Sequence, residues 1–236
     1  MLVLSRVVFV SSIALTGFAT AVAAADQASP PPAAMTGHFI GVTAVHEAVS
    51  RGDLEAARRA AAPIATHDLT GPADTAAARD ELKSLAGRIA SAPDLTAAAT
   101  ATGAMLRACG DCHRTAGVMP VLNLPVRPAV GKTVGHMLAH QRAADQLLQG
   151  LVIPSSTSWN QGAQALRTAP LEMGQLPKDP KLTEDIAAGE QRIHQLADQA
   201  AGATEPAARA AIYGQMVTAC ATCHSLHKGV WGPSSR

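Results

Sequence analysis

Residues 95–115 read LTAAATATGAMLRACGDCHRT, and residues 206–226 read PAARAAIYGQMVTACATCHSL. Both stretches are rich in alanine, which favours helix, and each carries Cys-x-x-Cys-His near its end. Residues three and four positions apart lie on the same face of a helix. Each stretch therefore predicts a helix that presents two thiols and an imidazole together, and we expect the fold to be built around these two helices.

The Cys-x-x-Cys-His motif is typical of c-type haem attachment. Its two thiols reach the two vinyl groups of one haem, and the adjacent imidazole ligates the iron. Both copies together contain all four cysteines of the chain. The sequence therefore predicts two covalently attached haem c groups, held by Cys109, Cys112 and His113 and by Cys220, Cys223 and His224.

Cysteine pairs with this spacing have two other common uses. Two Cys-x-x-Cys units can form a structural zinc site, and each pair could instead close as a disulfide in an oxidising compartment. Neither use explains why a histidine follows both pairs, so haem attachment is the preferred interpretation.

The N-terminal stretch, residues 1–25, has the pattern of a cleaved signal peptide. One positive charge (Arg6) precedes an apolar run that ends in Ala23-Ala24-Ala25. Residues 26–34 (DQASPPPAA) are expected to form a flexible leader. We therefore expect export to a bacterial periplasm, with no transmembrane segment in the mature chain.

The overall composition narrows the function classes. The chain of 236 residues is 47% hydrophobic but only 3% aromatic, and its formal net charge is +1. A net charge so close to zero does not favour binding to nucleic acid, which requires an excess of positive charge. The sequence also lacks the alternating β-branched and aromatic residues that are typical of β-strands. Few aromatics and many alanines leave a thin core, which two large macrocycles would fill.

The chain also repeats itself, which predicts an all-α fold of two tandem four-helix bundles, each enclosing one haem near its last helix. Gly37-His38 and Gly135-His136 each open an apolar-periodic helix. The predicted haem domains are residues 35–116 and 132–236, and the linker 117–131 is rich in Pro and Gly. The remaining predicted helices are 54–62, 75–91 and 95–115, then 157–168, 182–201 and one starting after Thr204.

Local signals set the expected helix ends. Asp53, Asp74 and Asp94 are expected as N-caps, and Pro63 is expected to stop the second helix. Gly52 and Gly150 are expected as C-caps of the first helix of each half.

Each half is an alanine-rich unit of four predicted helices with the motif on its last helix. In this arrangement the chain resembles the class II (cytochrome c′-like) cytochromes c, over residues 35–116 and 132–228. The resemblance implies a haem inside an antiparallel bundle, and a protein that moves electrons or binds small gases. Low-spin members have a Met on the first helix as sixth iron ligand, whereas this sequence has His38 and His136 there. We therefore expect bis-His ligation by His113 with His38 and by His224 with His136. The rival in the second half is His140, whose first-half counterpart in this alignment is Val42.

Several other residues have plainer interpretations. Met105 and Met216 lie on the helices that carry the motifs, so they are expected in the core. Burial is also the commoner role for Trp159 and Trp231, whereas His46, His67 and His194 are expected to be exposed. Arg107, Arg114 and Lys228 lie near the motifs and could pair with haem propionates, but a solvated helix face is the preferred interpretation of each. His227 follows the second motif and is expected only to flank the haem.

The expected function is electron transfer between redox partner proteins by a periplasmic dihaem cytochrome c, with no enzyme activity. The alternative is a cytochrome c′-type protein that binds or senses NO, CO or O2. A haem peroxidase or reductase is less favoured, because two identical copies of a histidine favour ligation over catalysis. A homodimer is compatible with the resemblance.

Overall fold

The computed structural model describes residues 33–122, 132–169 and 180–226. These segments contain helices and no strand, as the sequence predicts. In the first half they are α1 (Ala33–Ser50), α2 (Leu54–Thr66), α3 (Ala76–Ala90) and α4 (Leu95–Ala116), with a short 3-10 helix, Ala73–Thr75, before α3. In the second half they are α5 (Lys132–Val152), α6 (Ser156–Arg167), α7 (Pro180–Gly202) and α8 (Pro206–Leu226). The predicted signal peptide, most of the leader, and most of the linker lie outside the described residues.

The side-chain caps at Asp53 and Asp94 are confirmed. Asp53 accepts a hydrogen bond from the backbone N–H of Ala56 at 2.9 Å, and Asp94 accepts one from Ala97 at 2.7 Å. Each bond satisfies an N–H at the start of its helix that has no partner within the helix. Gly52 follows α1 with a φ of +72°, as expected for a glycine past a helix end.

Three predicted helix ends are wrong. Pro63 lies inside α2, which continues for three more residues and buries Ile64. Gly150 lies inside α5, because the helix runs on to Val152. Asp74 belongs to the 3-10 helix, and Thr75 is the N-cap of α3 without a side-chain capping bond.

Within each half every helix contacts the next one, and the last contacts the first. The most extensive contact of all joins α4 of the first half to α8 of the second, and all described helices belong to one compact unit. The core is rich in alanine, as the composition predicts, and Trp159 and Tyr213 are its largest fully buried side chains. Among the described helices, none is long and apolar enough to cross a membrane.

Two glycines allow α4 and α8 to approach closely. A Cβ on Gly103 would lie 2.3 Å from the carbonyl oxygen of Ala210, and a Cβ on Gly214 would lie 3.1 Å from that of Ala99. Gly103 and Gly214 occupy matching positions relative to the two motifs. The crossing is therefore reciprocal, and the halves contact each other through equivalent surfaces.

Candidate functional site

The first motif lies in the last two turns of α4. Cys109 is buried, and Cys112 and His113 are half-buried one turn further along. The helix ends at Gly117, whose φ of +66° suits a glycine and whose N–H bonds back to Arg114. The described helix thus brings the two thiols and the imidazole to one region, as the sequence predicts.

The second motif occupies the end of α8 in the same way. Cys220, Cys223 and His224 are half-buried, and the following Leu226 is the last helical residue described. Gly189 of α7 packs beside this motif, since a Cβ there would lie 3.9 Å from the Cβ of Cys223. The motif therefore faces α7 of its own half.

Each motif histidine is held by the other half of the molecule. Nδ1 of His113 lies 2.7 Å from the carbonyl oxygen of Val152, at the end of α5. Nδ1 of His224 lies 2.7 Å from the carbonyl oxygen of Ser50, at the end of α1. A carbonyl oxygen only accepts, so Nδ1 carries the proton in both rings. In a neutral imidazole this leaves the Nε2 lone pair available to a metal.

The first cysteine of each motif has a raised thiol pKa. None of the four cysteines forms a disulfide. Burial, and then the neighbouring cysteine, raises the pKa of Cys109 and of Cys220 to about 12. Reactive Cys-x-x-Cys motifs instead have lowered thiol pKa values, so exchange chemistry is disfavoured here.

His38 lies half-buried on α1, within electrostatic reach of the first motif. Burial lowers the pKa of His38, and the imidazoles of His113 and His67 lower it further. The predicted pairing of His38 with His113 as two ligands of one iron stays a prediction. His67 is exposed, as expected.

His136 on α5 is bound to α7. Its Nε2 lies 2.7 Å from Oε1 of Glu190, and the side chain of His136 is only 7% exposed. His140 and His194 approach the other oxygen of Glu190, at 3.7 Å and 3.6 Å. Glu190 was not predicted as a site residue, because the sequence around an isolated glutamate on a helix does not indicate which side chains it will contact.

The two halves can be aligned by the ends of their helices, and this alignment differs from the one based on His38 and His136. α1 ends at Ser50 and α5 at Val152, and the next N-caps are Asp53 and Ser155. Both pairs are separated by 102 positions, as are the two carbonyl acceptors of the motif histidines. In this register His38 corresponds to His140, and His136 lies one turn earlier. The equivalence of His38 and His136, on which the ligand prediction rested, is therefore wrong.

Two histidines that were expected to be exposed are not: His194 is half-buried and His46 is buried. His46 is only 2% exposed and packs between α1 and α8. Its Nδ1 is hydrogen-bonded to the hydroxyl of Tyr213 at 3.0 Å, and burial lowers its pKa to about 4. Its position on the apolar face was the available signal, since His46 lies four residues after Val42 and three before Val49, which are both buried.

Met105, Met216 and Trp159 are buried, as expected. Arg107 was expected on a solvated helix face, but it is half-buried and pairs with Glu81 and Asp111. Arg114 is exposed, as expected, and also pairs with Asp111. Trp231, His227 and Lys228 lie outside the described residues.

Comparison of the chain with protein-family models, with curated proteins and with solved structures finds no match.

Proposed function

We propose that this protein is a dihaem c-type cytochrome that transfers electrons between redox partner proteins in a bacterial periplasm. The observation that carries the proposal is the pair of hydrogen bonds from His113 and His224 to backbone carbonyls. Ligating histidines almost always donate their other ring N–H to such an acceptor. Two motifs with this arrangement in one chain favour two iron sites.

The residues present fit covalent haem. Cys109 and Cys112 would hold one group and Cys220 and Cys223 the other, with His113 and His224 as proximal ligands. A haem would supply one-electron exchange between its ferric and ferrous states. The closed contacts among α1–α4 and among α5–α8 support the finer proposal of two four-helix units around these groups.

The chain's own contribution is to fix the imidazoles. The bond from Nδ1 to a carbonyl selects the tautomer, sets the ring plane and makes Nε2 more basic. A more basic ligand favours the ferric state, so these bonds would lower both reduction potentials. Because each acceptor belongs to the other half, the packing of α4 on α8 also controls the orientation of the ligands.

The sixth ligand of the first haem is proposed to be His38, which lies near His113. For the second haem the sequence predicts His136, and the helix-end register adds His140 as the counterpart of His38. Gas binding at the second haem is the second candidate function, and it is favoured by the bond that ties His136 to Glu190. If neither histidine ligates, that iron keeps an open position.

The experiment is an absorption spectrum of the matured protein, oxidised and reduced, with and without CO. Electron transfer with bis-His ligation predicts two haems that stay attached after denaturation, low-spin bands and no CO shift. CO binding by one haem would favour the second candidate function. Absence of covalent haem would overturn both.

Variants then assign the ligands. His38→Ala should convert only the first haem to high spin, and His136→Ala or His140→Ala only the second. His67→Ala, an exposed histidine, is the matched control and should change neither. An unaltered spectrum in His38→Ala would remove that residue from the ligand set.

A further inference from the structure

Four side chains from α5 and α7 converge in the second half. His136 and His140 are four residues apart on α5, and Glu190 and His194 are four residues apart on α7, so each pair shares a helix face. One donor atom from each of His136, His140 and Glu190 lies within 4.8 Å of the other two. Nε2 of His194 lies 3.6 Å from the same carboxylate. The three imidazoles thus surround the carboxylate of Glu190, whose side chain is 14% exposed.

Three atoms of this cluster lack the partners that buried polar atoms require. Nε2 of His140, Oε2 of Glu190 and Nε2 of His194 are buried without a hydrogen bond. Nε2 of His140 and Nε2 of His194 lie 3.7 Å and 3.6 Å from Oε2 of Glu190, which is too far for a hydrogen bond. Such an arrangement is costly unless a cation lies between them.

We propose that His136, His140, His194 and Glu190 bind one divalent transition-metal ion, with zinc as the best match. Zinc takes four nitrogen and oxygen ligands in a tetrahedron, and bonds of about 2.0–2.1 Å separate the ligand atoms by about 3.3 Å. Nε2 of His136 lies 2.7 Å from Oε1 of Glu190, whereas Nε2 of His194 and of His140 lie 3.6 and 3.7 Å from Oε2. Binding one ion would require side-chain rotations that bring the four ligand atoms to a common centre.

Of the four positions in the first half that match these donors, only one carries the same residue type. α3 and α7 are in register at their buried residues, since Leu82 and Leu85 match Ile193 and Leu196. In that register Arg79 and Lys83 stand where the second half has Glu190 and His194.

On the first helix, Ala34 stands at the position of His136, and only His38 matches a donor, His140. Haem binding by both halves would not require the two halves to differ at these donor positions. The donor set is therefore a feature of the second half alone.

This inference does not rest on the proposed function, but the two compete for His136 and His140. Neither histidine can ligate both the second haem iron and a zinc ion. Glu190 and His194 are not candidates for the iron, so they are the residues that test the site.

The test is a titration of the matured full-length protein with Zn²⁺ after treatment with a chelator, with binding followed by calorimetry and metal content by elemental analysis. The expected result is one Zn²⁺ per chain, with affinity reduced at least about tenfold in Glu190→Gln and in His194→Ala. Glu184→Gln is the matched control, because Glu184 is an exposed glutamate on the same helix. Zinc should raise the Tm of the native protein and of this control, but not that of Glu190→Gln.

Equal zinc affinity in Glu190→Gln, His194→Ala and Glu184→Gln would overturn the inference, as would absence of stoichiometric binding. Haem content and spectra of the same samples separate the two proposals. A zinc-binding protein without covalent haem would overturn only the proposed function. A change of the second haem to high spin in His136→Ala with undiminished zinc affinity would assign His136 to iron and overturn the site.

Discussion

His113 of the first half and Val152 of the second half are joined by a hydrogen bond of 2.7 Å from the imidazole Nδ1 to the backbone carbonyl. His224 and Ser50 form the reciprocal bond at the same distance. Each proposed iron ligand is thus oriented by the half that does not contain its motif. The two halves are expected to be coupled, so damage to their interface should alter the haem spectra.

Gly110→Ala tests this coupling at the first motif. A Cβ on Gly110 would lie 2.1 Å from the carbonyl oxygen of Leu151, so α4 and the end of α5 must move apart. We expect a loss of about 1–3 kcal/mol in the free energy of unfolding, the usual cost of overpacking. The spectrum of the first haem should also change, because the bond between His113 and Val152 is disturbed. Chemical denaturation and absorption spectroscopy measure both effects.

Gly87→Ala is the control for that substitution. A Cβ on Gly87 would lie 4.0 Å from the Cβ of Ala65, an ordinary contact, and Gly87 is inside α3. Alanine favours helix over glycine by about 1 kcal/mol at most. Gly87→Ala should therefore be neutral or stabilising, and an equal loss in both variants would refute the steric argument.

The crossing of α4 and α8 predicts an order of effects. Gly103→Ala places a Cβ 2.3 Å from a carbonyl oxygen, whereas the nearest atom to a Cβ on Gly214 is 3.1 Å away. Gly103→Ala should thus destabilise the protein more than Gly214→Ala, by about 1 kcal/mol or more. Thermal unfolding of the two variants measures this order, and the reverse order would contradict the described crossing.

His46 should make the protein sensitive to acid. Burial lowers its pKa to about 4, below the ordinary value of 6.5, so the unfolded chain binds this proton first as the pH falls. Stability is then lost between about pH 6.5 and pH 4, by about 3 kcal/mol in total, with no further loss below that range. Unfolding by denaturant at a series of pH values measures the slope.

The double variant His46→Leu/Tyr213→Phe should flatten that slope. Leucine is the residue at the matching position of α5, Leu148, and phenylalanine avoids leaving the Tyr213 hydroxyl without its partner. Tyr213→Phe alone keeps the titrating imidazole and is the control. An unchanged slope in the double variant would assign the acid sensitivity to other groups.

Trp159 is expected to stabilise the second half through a hydrogen bond as well as through packing. Its indole N–H donates to the carbonyl oxygen of Ala200 at 2.8 Å, and the guanidinium of Arg209 lies over the ring at 5.5 Å. Trp159→Phe keeps an aromatic ring but removes this hydrogen bond. Because the Ala200 carbonyl still accepts from the N–H of Ala203, the expected cost is about 0.5–1.5 kcal/mol. Far-UV circular dichroism during denaturation checks this loss, and an unchanged stability would show that water replaces the bond.

Much of the helical layout was predictable from local chemistry. Asp53 and Asp94 cap their helices because a short carboxylate can reach a free backbone N–H three residues later. Pro63 and Gly150 misled the prediction because their outcome depends on neighbours. α2 continues past Pro63 and buries Ile64, and Gly150 stays helical where its lack of a side chain admits Trp159, at 2.8 Å from a Cβ.

Local sequence was sufficient to predict the all-helical class, the helices that carry the two motifs, and the two thiols and one imidazole near the end of each. Helix propensity, capping and residue spacing act within a few turns of the chain, so these features can be read locally. In contrast, the anchoring of the motif histidines by Val152 and Ser50, and the convergence of three imidazoles on Glu190, depend on packing between helices that are distant in sequence. Every residue carries a backbone carbonyl, so no side chain marks which one a distant imidazole will meet. That choice follows from the close crossing of α4 and α8, which is a property of the packed molecule.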